Sequence, residues 1–85
     1  MANKITVRYR ARLADLTGTG EEIIEADDVR EALRLIERKH GAAAERVAKT
    51  MLIAVNGESI LHLKLYKTPL QAGDVLSFLP ICGGG

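Results

Sequence analysis

The sequence predicts a small α+β domain in which one main helix packs across a mixed sheet of four to five strands. Three observations carry this expectation. The chain has 85 residues of one composition from end to end, which is room for a single core and little else. Two strand-like segments come first, and further strand-like segments close the chain. Between them lies one clear apolar stripe at helical spacing. Two strands, a helix and then more strands is an α+β order rather than a doubly wound or all-helical one.

The first strand is expected over residues 4–11. Ile5, Val7, Tyr9 and Ala11 alternate with Thr6, Arg8 and Arg10, the period of a half-buried strand. Leu13 to Leu16 then suits a short helical turn, closed by Gly18 and Gly20. Residues 21–26 read as a second strand with Ile23 and Ile24 as its apolar content. The short Gly-rich link between the two strands favours an antiparallel hairpin.

The main helix opens at Asp28. Asp28 and Glu31 stand at the spacing of a capping box, with Asp in place of the usual Ser or Thr. Val29, Ala32, Leu33 and Ile36 form one stripe, opposite Arg30, Arg34, Glu37 and Arg38. Lys39 and His40 sit where cations favour the helix dipole, and Gly41 fits the position just past the helix end. Residues 42–49 make a second, short helix.

Met51 to Val55 is a nearly continuous apolar run, the pattern of a central strand that could run parallel to its neighbour. Asn56-Gly57 signals a tight turn. In residues 59–66, Leu61, Leu63 and Leu65 alternate with His62 and Lys64, which suggests another strand or extended segment. Pro69 and Gly73-Asp74 bound a turn. Val75 to Leu79 is the last strand, stopped by Pro80, which cannot donate to a ladder. The expected core joins Val29, Leu33 and Ile36 to Ile5, Val7, Tyr9, Ile53, Val55, Leu76 and Phe78.

Composition excludes several function classes. Hydrophobic residues are 47% and charged residues 27%, so the chain is neither a disordered tail nor a fibre. Lys+Arg is 12 against 11 Asp+Glu, which argues against a nucleic-acid partner, because such binding draws on surplus positive charge. One cysteine and two distant histidines leave no metal site, disulfide framework or four-cysteine cluster. No apolar run approaches the ~20 residues that span a bilayer. MANKITVRYR lacks the apolar core of a signal peptide. A cytoplasmic, reducing location and no membrane partner are the expectations.

The chain divides into a domain over residues 1–79 and a flexible Gly-rich tail over 80–85. From Val75 to Gly85 no side chain is charged. Six residues from Pro80 reach roughly 20 Å when extended. Glycine lacks Cβ, so its backbone enters channels too narrow for other residues. Such a tail suits threading into another protein; the plainer reading is a frayed end.

Several segments resemble the MoaD/ThiS family of ubiquitin-like sulfur carriers. They are Val55-Asn56-Gly57, the stretch Thr68-Pro69-Leu70-Gln71-Ala72-Gly73-Asp74-Val75, Ser77-Phe78-Leu79-Pro80 and the terminal Gly84-Gly85. Ile5-Thr6-Val7-Arg8-Tyr9-Arg10-Ala11-Arg12-Leu13, with Leu16 and Gly18, resembles the start of the MoaD branch. The family fold is the β-grasp. The chain departs from the family pattern in a longer segment from Ser59 to Lys67, in Arg10 where a large hydrophobe is common, and in Cys82 and Gly83 within the tail.

The resemblance implies a carrier rather than an enzyme. A partner resembling ubiquitin-activating enzyme would use ATP to adenylate the Gly85 carboxylate, and sulfur from a persulfide donor would leave a thiocarboxylate there. The carrier itself binds no cofactor. Gly84, Gly83 and Cys82 would form the threading arm. Cys82 could trap the activated carboxylate, but no His or Lys lies nearby in sequence to activate it, and a small apolar tail residue is the simpler role. The sulfur acceptor implied first is an enzyme such as the large subunit of molybdopterin synthase, serving the molybdenum or tungsten cofactor. Thiamin thiazole, tRNA thiolation and cysteine synthesis are the other carrier roles. A ubiquitin-like modifier of lysines is the alternative of a different class, and a ligand-binding β-grasp module a third.

Partners must also hold the body, because ordering a tail costs about 1–2 kcal/mol per residue. If Leu76 and Phe78 meet the helix, Val75 and Leu79 lie on the open sheet face beside Arg8 and Arg10. That apolar pair ringed by cations is the candidate docking patch. The rival reading is ordinary edge burial beside arginines that only keep a sheet face wet.

Overall fold

A computed structural model describes residues 2–81 of the chain. Five strands form one sheet: β1 (Lys4–Arg8), β2 (Glu21–Glu25), β3 (Leu52–Val55), β4 (Glu58–Ser59) and β5 (Val75–Leu79). Their spatial order is β2-β1-β5-β3-β4. Among the described residues the only parallel pair is β1 with β5; the other pairs are antiparallel. Helices α1 (Ala11–Thr17), α2 (Val29–His40) and α3 (Ala42–Lys49) complete the described elements with two 3-10 turns, Ile60–His62 and Leu65–Lys67. The fold is the mixed β-grasp sheet with one main helix across it.

The main helix starts and ends as its sequence predicts. The Asp28 carboxylate accepts from the backbone N–H of Glu31 at 2.8 Å, and the Glu31 carboxylate accepts from the N–H of Asp27 at 2.7 Å. The forward bond of a capping box is thus made in its usual place, and the return bond reaches one residue further back, to Asp27. Gly41, at φ 99°, takes the helix end and its N–H reaches Glu37 O at 2.8 Å. Val29, Ala32, Leu33 and Ile36 are all buried against Ile5, Val7, Tyr9, Ile53, Val55, Leu76 and Phe78. α3 adds only Ala44 and Ala48 to this core, and small side chains suit it to lie close beside α2.

Several expected elements are corrected. The first strand pairs only to Arg8, and Ala11 is exposed at φ 53° rather than on its apolar side. There the chain turns into α1, which buries Leu13 completely; an extended path would leave that leucine outside the core. Ile24 is buried, but Ile23, its neighbour on the opposite face of β2, is 66% exposed. β3 runs antiparallel to both neighbours. Its apolar run reports burial, since Ala54 lies covered between Ser59 and Ser77, and burial carries no direction.

The largest correction concerns residues 59–66, of which only Ser59 is in a strand. β4 has two residues and ends the sheet, and two 3-10 turns follow. β5 must enter the sheet between β1 and β3, so the connection from β4 has to cross the end of the core instead of pairing along its edge. Ile60 is buried there while Leu61 is 71% exposed. Thr68 locks the crossing: its hydroxyl accepts from Lys64 N at 3.0 Å and donates to Leu65 O at 2.7 Å. Val29 N then bonds Thr68 O at 3.1 Å and Leu70 N bonds Asp27 O at 2.9 Å, which ties the crossing to the start of α2.

Candidate functional site

The site is built around β5, whose end delivers the chain to Pro80 and Ile81. Alternation along β5 puts Leu76 and Phe78 fully in the core and leaves Val75, Ser77 and Leu79 half-buried on the other face. Leu79 lies beside Leu52, Ser77 between Ala54 and Arg8, and Val75 beside Thr6. Arg8 is exposed on the same face. Arg10 lies past the end of β1, in extended backbone that precedes α1, and is exposed. The structure therefore places Val75, Leu79 and Arg8 on one open face, with Arg10 just beyond its edge. Cys82, Gly83, Gly84 and Gly85 lie outside the described residues.

The surroundings of that patch are more mixed than a ring of cations. Glu21 stands directly opposite Arg8, and Glu25 opposite Lys4. Ile23, opposite Thr6, adds an exposed apolar side chain on the same face. Sequence spacing within β1 could not show this, because the acids arrive from β2 through the hairpin register.

The start of β5 is held by the β3–β4 turn. Asn56 and Gly57 both have positive φ, 52° and 86°, as a two-residue turn of this type requires. The Asn56 side chain donates to the Asp74 carboxylate at 3.0 Å and accepts from Val75 N at 2.9 Å. Asp74 also accepts from Gln71 N at 2.8 Å. Two turn signals far apart in sequence thus form one hydrogen-bonded clasp that fixes where β5 begins. Gly73-Asp74 is turn chemistry, and Asp74 in addition serves this clasp.

A second polar cluster, unforeseen in the sequence, joins β1, β2 and the end of α2. The Glu22 carboxylate accepts from the Tyr9 hydroxyl at 2.6 Å, from His40 Nε2 at 2.6 Å and from Lys39 Nζ at 3.2 Å. An ionised carboxylate only accepts, so His40 faces it with a hydrogen on Nε2. Burial pushes the Glu22 carboxyl upward, but the bonds from Tyr9, His40 and Lys39 outweigh it and leave the group below its ordinary range. Burial, then the bond to Glu22 and its charge, hold the Tyr9 hydroxyl well above the tyrosine range. His40, read from sequence as a helix-end cation, is thus a partner of Glu22 at a corner of the core. Among the described residues no group of three or more His, Cys, Asp or Glu side chains is placed to hold a metal.

An apolar groove of about 340 Å³ lies beside the root of the tail. Leu52, Ile60, Leu61, Leu65, Tyr66 and Ile81 line it. It arises because residues 60–67 cross the core's end and leave their leucines outside.

The chain is similar in fold to the small archaeal modifier protein 1 of Methanosarcina acetivorans, with a TM-score of 0.89 at 24% identity, over 100% of this chain and 99% of that one. It is also similar to a putative molybdopterin converting factor subunit 1 of Pyrococcus furiosus, at 28% identity and TM-score 0.72, over 93% and 98% of the two chains. In a complex of subunits 1 and 2 of the molybdopterin-converting factor of Helicobacter pylori, the matching chain is 27% identical, with TM-score 0.70 and 96% and 99% covered. No curated protein matches the chain. The model of the ThiS family matches residues 7–85, from within β1 to the Gly-rich end. The chain therefore belongs to the ThiS family of ubiquitin-like sulfur carriers.

Proposed function

We propose that this protein carries sulfur as a thiocarboxylate on Gly85 and donates it in the synthesis of the molybdopterin or tungstopterin cofactor. The observation that carries the reading is a β-grasp body whose last strand is followed in sequence by Pro80-Ile81-Cys82-Gly83-Gly84-Gly85, in a chain that the family model matches to its final residue. Similarity to two molybdopterin converting factor subunits supports the choice of that acceptor pathway.

The chemistry follows from the free carboxyl group. It is ionised at neutral pH, with a pKa near ~3.5, and a carboxylate resists nucleophilic attack. Adenylation by a partner converts one oxygen into part of a leaving group and releases pyrophosphate from ATP. A persulfide sulfur then attacks the acyl carbon and AMP departs. A thiol that cleaves the resulting acyl disulfide leaves the thiocarboxylate. The carrier supplies no acid or base to these steps. It presents a narrow arm and a body that the partners recognise, and Val75, Leu79, Arg8 and Arg10 are the residues proposed for that recognition.

The test is mass spectrometry of the intact chain after incubation with its adenylating partner, ATP and a persulfide donor. One oxygen-to-sulfur exchange is expected, confined to the C-terminal peptide and retained in Cys82→Ala. Deletion of Gly85 should abolish it. Sulfur found on Cys82, or no exchange at all, overturns the reading. Transfer onward is tested with a molybdopterin-synthase large subunit. Ladders of conjugates in denaturing gels of cell extract would instead identify a protein modifier.

A further inference from the structure

The exposed leucines of residues 60–67 have no role in the core or on the open sheet face. Leu61 and Leu65 are 71% and 52% exposed, and Ile81, across the groove, is 65% exposed. Scattered apolar residues on a surface need no account, but these line one cavity. Leu65 also sits at φ 54°, a region that leucine seldom enters. Its backbone is held there by Thr68, whose hydroxyl bonds Leu65 O while Thr68 N bonds the same oxygen at 3.1 Å. The fold thus holds a leucine in an unfavourable conformation with half of its side chain in water.

The charge is mixed on the α3 side of the groove, where Glu37 and Glu45 share a depression with Lys49 and Tyr66, and basic along the 60–67 wall. Between Glu58 and Asp74 the chain has no acidic residue, while it carries His62, Lys64 and Lys67. None of the three ion pairs among the described residues involves Lys64 or Lys67. Lys49 lines the groove and is paired with Glu45 at 2.8 Å. Glu58 shares a neighbouring depression with Leu63 and Lys64 but forms no ion pair with that lysine.

Position adds a third argument. Ile81 is a groove residue, and Gly85 is the fourth residue after it, a reach of about 14 Å. An enzyme with its active site on the Gly85 carboxyl must therefore bring its surface close to this groove. Leu52 lines the groove and also lies beside Leu79, so the groove continues the proposed open-face patch around the sheet edge.

We infer that the groove between residues 60–67 and Ile81 docks an acidic segment with large apolar side chains, carried by an enzyme that acts on Gly85. This rests on the carrier reading above. Apolar side chains would fill the groove, and Asp or Glu residues beside them would meet Lys64 and Lys67. Such contacts set partner choice and association rate.

The test has two arms. In the first, the full-length 15N-labelled chain is titrated with a synthetic peptide that has leucines at one-face helical spacing and glutamates elsewhere. A peptide with lysine in place of every glutamate is the control. Amide shifts are expected at residues 49–53, 60–66 and 81 with the acidic peptide only. Lys64→Glu combined with Lys67→Glu should weaken binding about tenfold, and Leu61→Ser with Leu65→Gly should abolish it. Both leucines are exposed, and glycine relieves the positive φ, so this variant should stay folded; its amide spectrum away from the groove checks that.

In the second arm, the leucine double variant is compared with wild type for thiocarboxylation at Gly85 and for transfer to the acceptor. Slowing of at least about tenfold in one of the two steps is expected. The inference stands only if both arms succeed. Equal binding of the lysine peptide, no binding, or wild-type rates in the variant overturns it while wild-type thiocarboxylation keeps the carrier reading intact. Concentration-dependent shifts at the groove without peptide would assign it to a second copy of the chain instead. If wild type never gains sulfur, the carrier reading fails, and with it the enzyme named as the source of the segment.

Discussion

Glu22→Gln isolates the charge in the cluster that joins the β1–β2 hairpin to the end of α2. Glutamine keeps the shape but has one carbonyl acceptor and no charge. Two short bonds, from Tyr9 and His40, change from charge-assisted to neutral. Bonds to charged groups contribute about 1.5–3 kcal/mol and neutral ones about 0.5–1.5, so roughly 2 kcal/mol is at stake. The cheaper burial of a neutral amide offsets part of this. Lys39 is half exposed, and its ion pair adds at most a few tenths. The expected net loss is about 1–2 kcal/mol, which for a domain of this size lowers Tm by about 5–15 °C.

The pH dependence gives the sharper check. Glu22 titrates below its ordinary value in the folded protein. Its contribution is therefore present above the unfolded pKa, near ~4.3, and is lost as pH falls through the folded value. Urea unfolding of wild type and Glu22→Gln should show a gap at pH 7 that narrows from about pH 5 downward. Tyr9 has the opposite sign: its hydroxyl is held above the tyrosine range, so wild-type stability should fall as pH rises beyond about 10. Tyr9→Phe should remove that alkaline loss. A gap below about 0.3 kcal/mol at pH 7, or one unchanged at pH 3, would refute the reasoning and return the cluster's effect to packing.

Three further outcomes are expected. Leu33→Ala should cost about 2–5 kcal/mol in urea unfolding, since Leu33 is buried under the sheet; a loss below half a kcal/mol would mean that its face is not core. Asn56→Ala should cost about 1–2 kcal/mol, because it removes both bonds of the clasp and places alanine at φ 52°; the amide of Val75 should also lose protection in hydrogen exchange. Leu79→Glu and Arg10→Glu, each with an unchanged melting temperature, should slow sulfur loading or transfer, and Arg10→Glu should flatten the salt dependence of partner binding. Wild-type rates in both would leave the open face without a docking role.

The parts of the fold that were legible in sequence are those where a local pattern and a local bond coincide. Asp28 and Glu31 predict the helix start because the capping bonds span three or four residues. Leu76 and Phe78 predict the buried side of β5 because period two holds along a paired strand. Residues 59–66 show the same alternation and fail, because nothing beyond β4 pairs with them. Periodicity assumes a neighbour, and the sheet order decides whether one exists. The clasp of Asn56 with Asp74 and the cluster of Glu22 with His40 join residues 18 apart, and each partner alone has an ordinary local explanation. Val75, Leu79 and Arg8 were legible as one face; the acids that share it were not, because hairpin register supplies them.

On the carrier reading, the same geometry bears on how two enzymes use one short arm. Both must act on a carboxyl group within about 14 Å of Ile81, so both must dock close to the end of β5, and they cannot do so together. A rigid root makes this workable. The Asn56–Asp74 clasp fixes the beginning of β5, pairing with β1 and β3 fixes its length, and Pro80 ends it at Leu79. Each partner then meets the arm leaving the body at the same place. Two contiguous surfaces, the open face around Leu79 and the groove around Leu65, meet at Leu52. A partner that engages one more than the other can be selected by a change in a few exposed side chains, without disturbing the strand that aims the arm. Weakening the root should behave differently: Asn56→Ala should slow loading and transfer alike, whereas a groove or open-face variant can affect one step more than the other. Equal slowing of both steps by every surface variant would mean that the two enzymes share one docking surface.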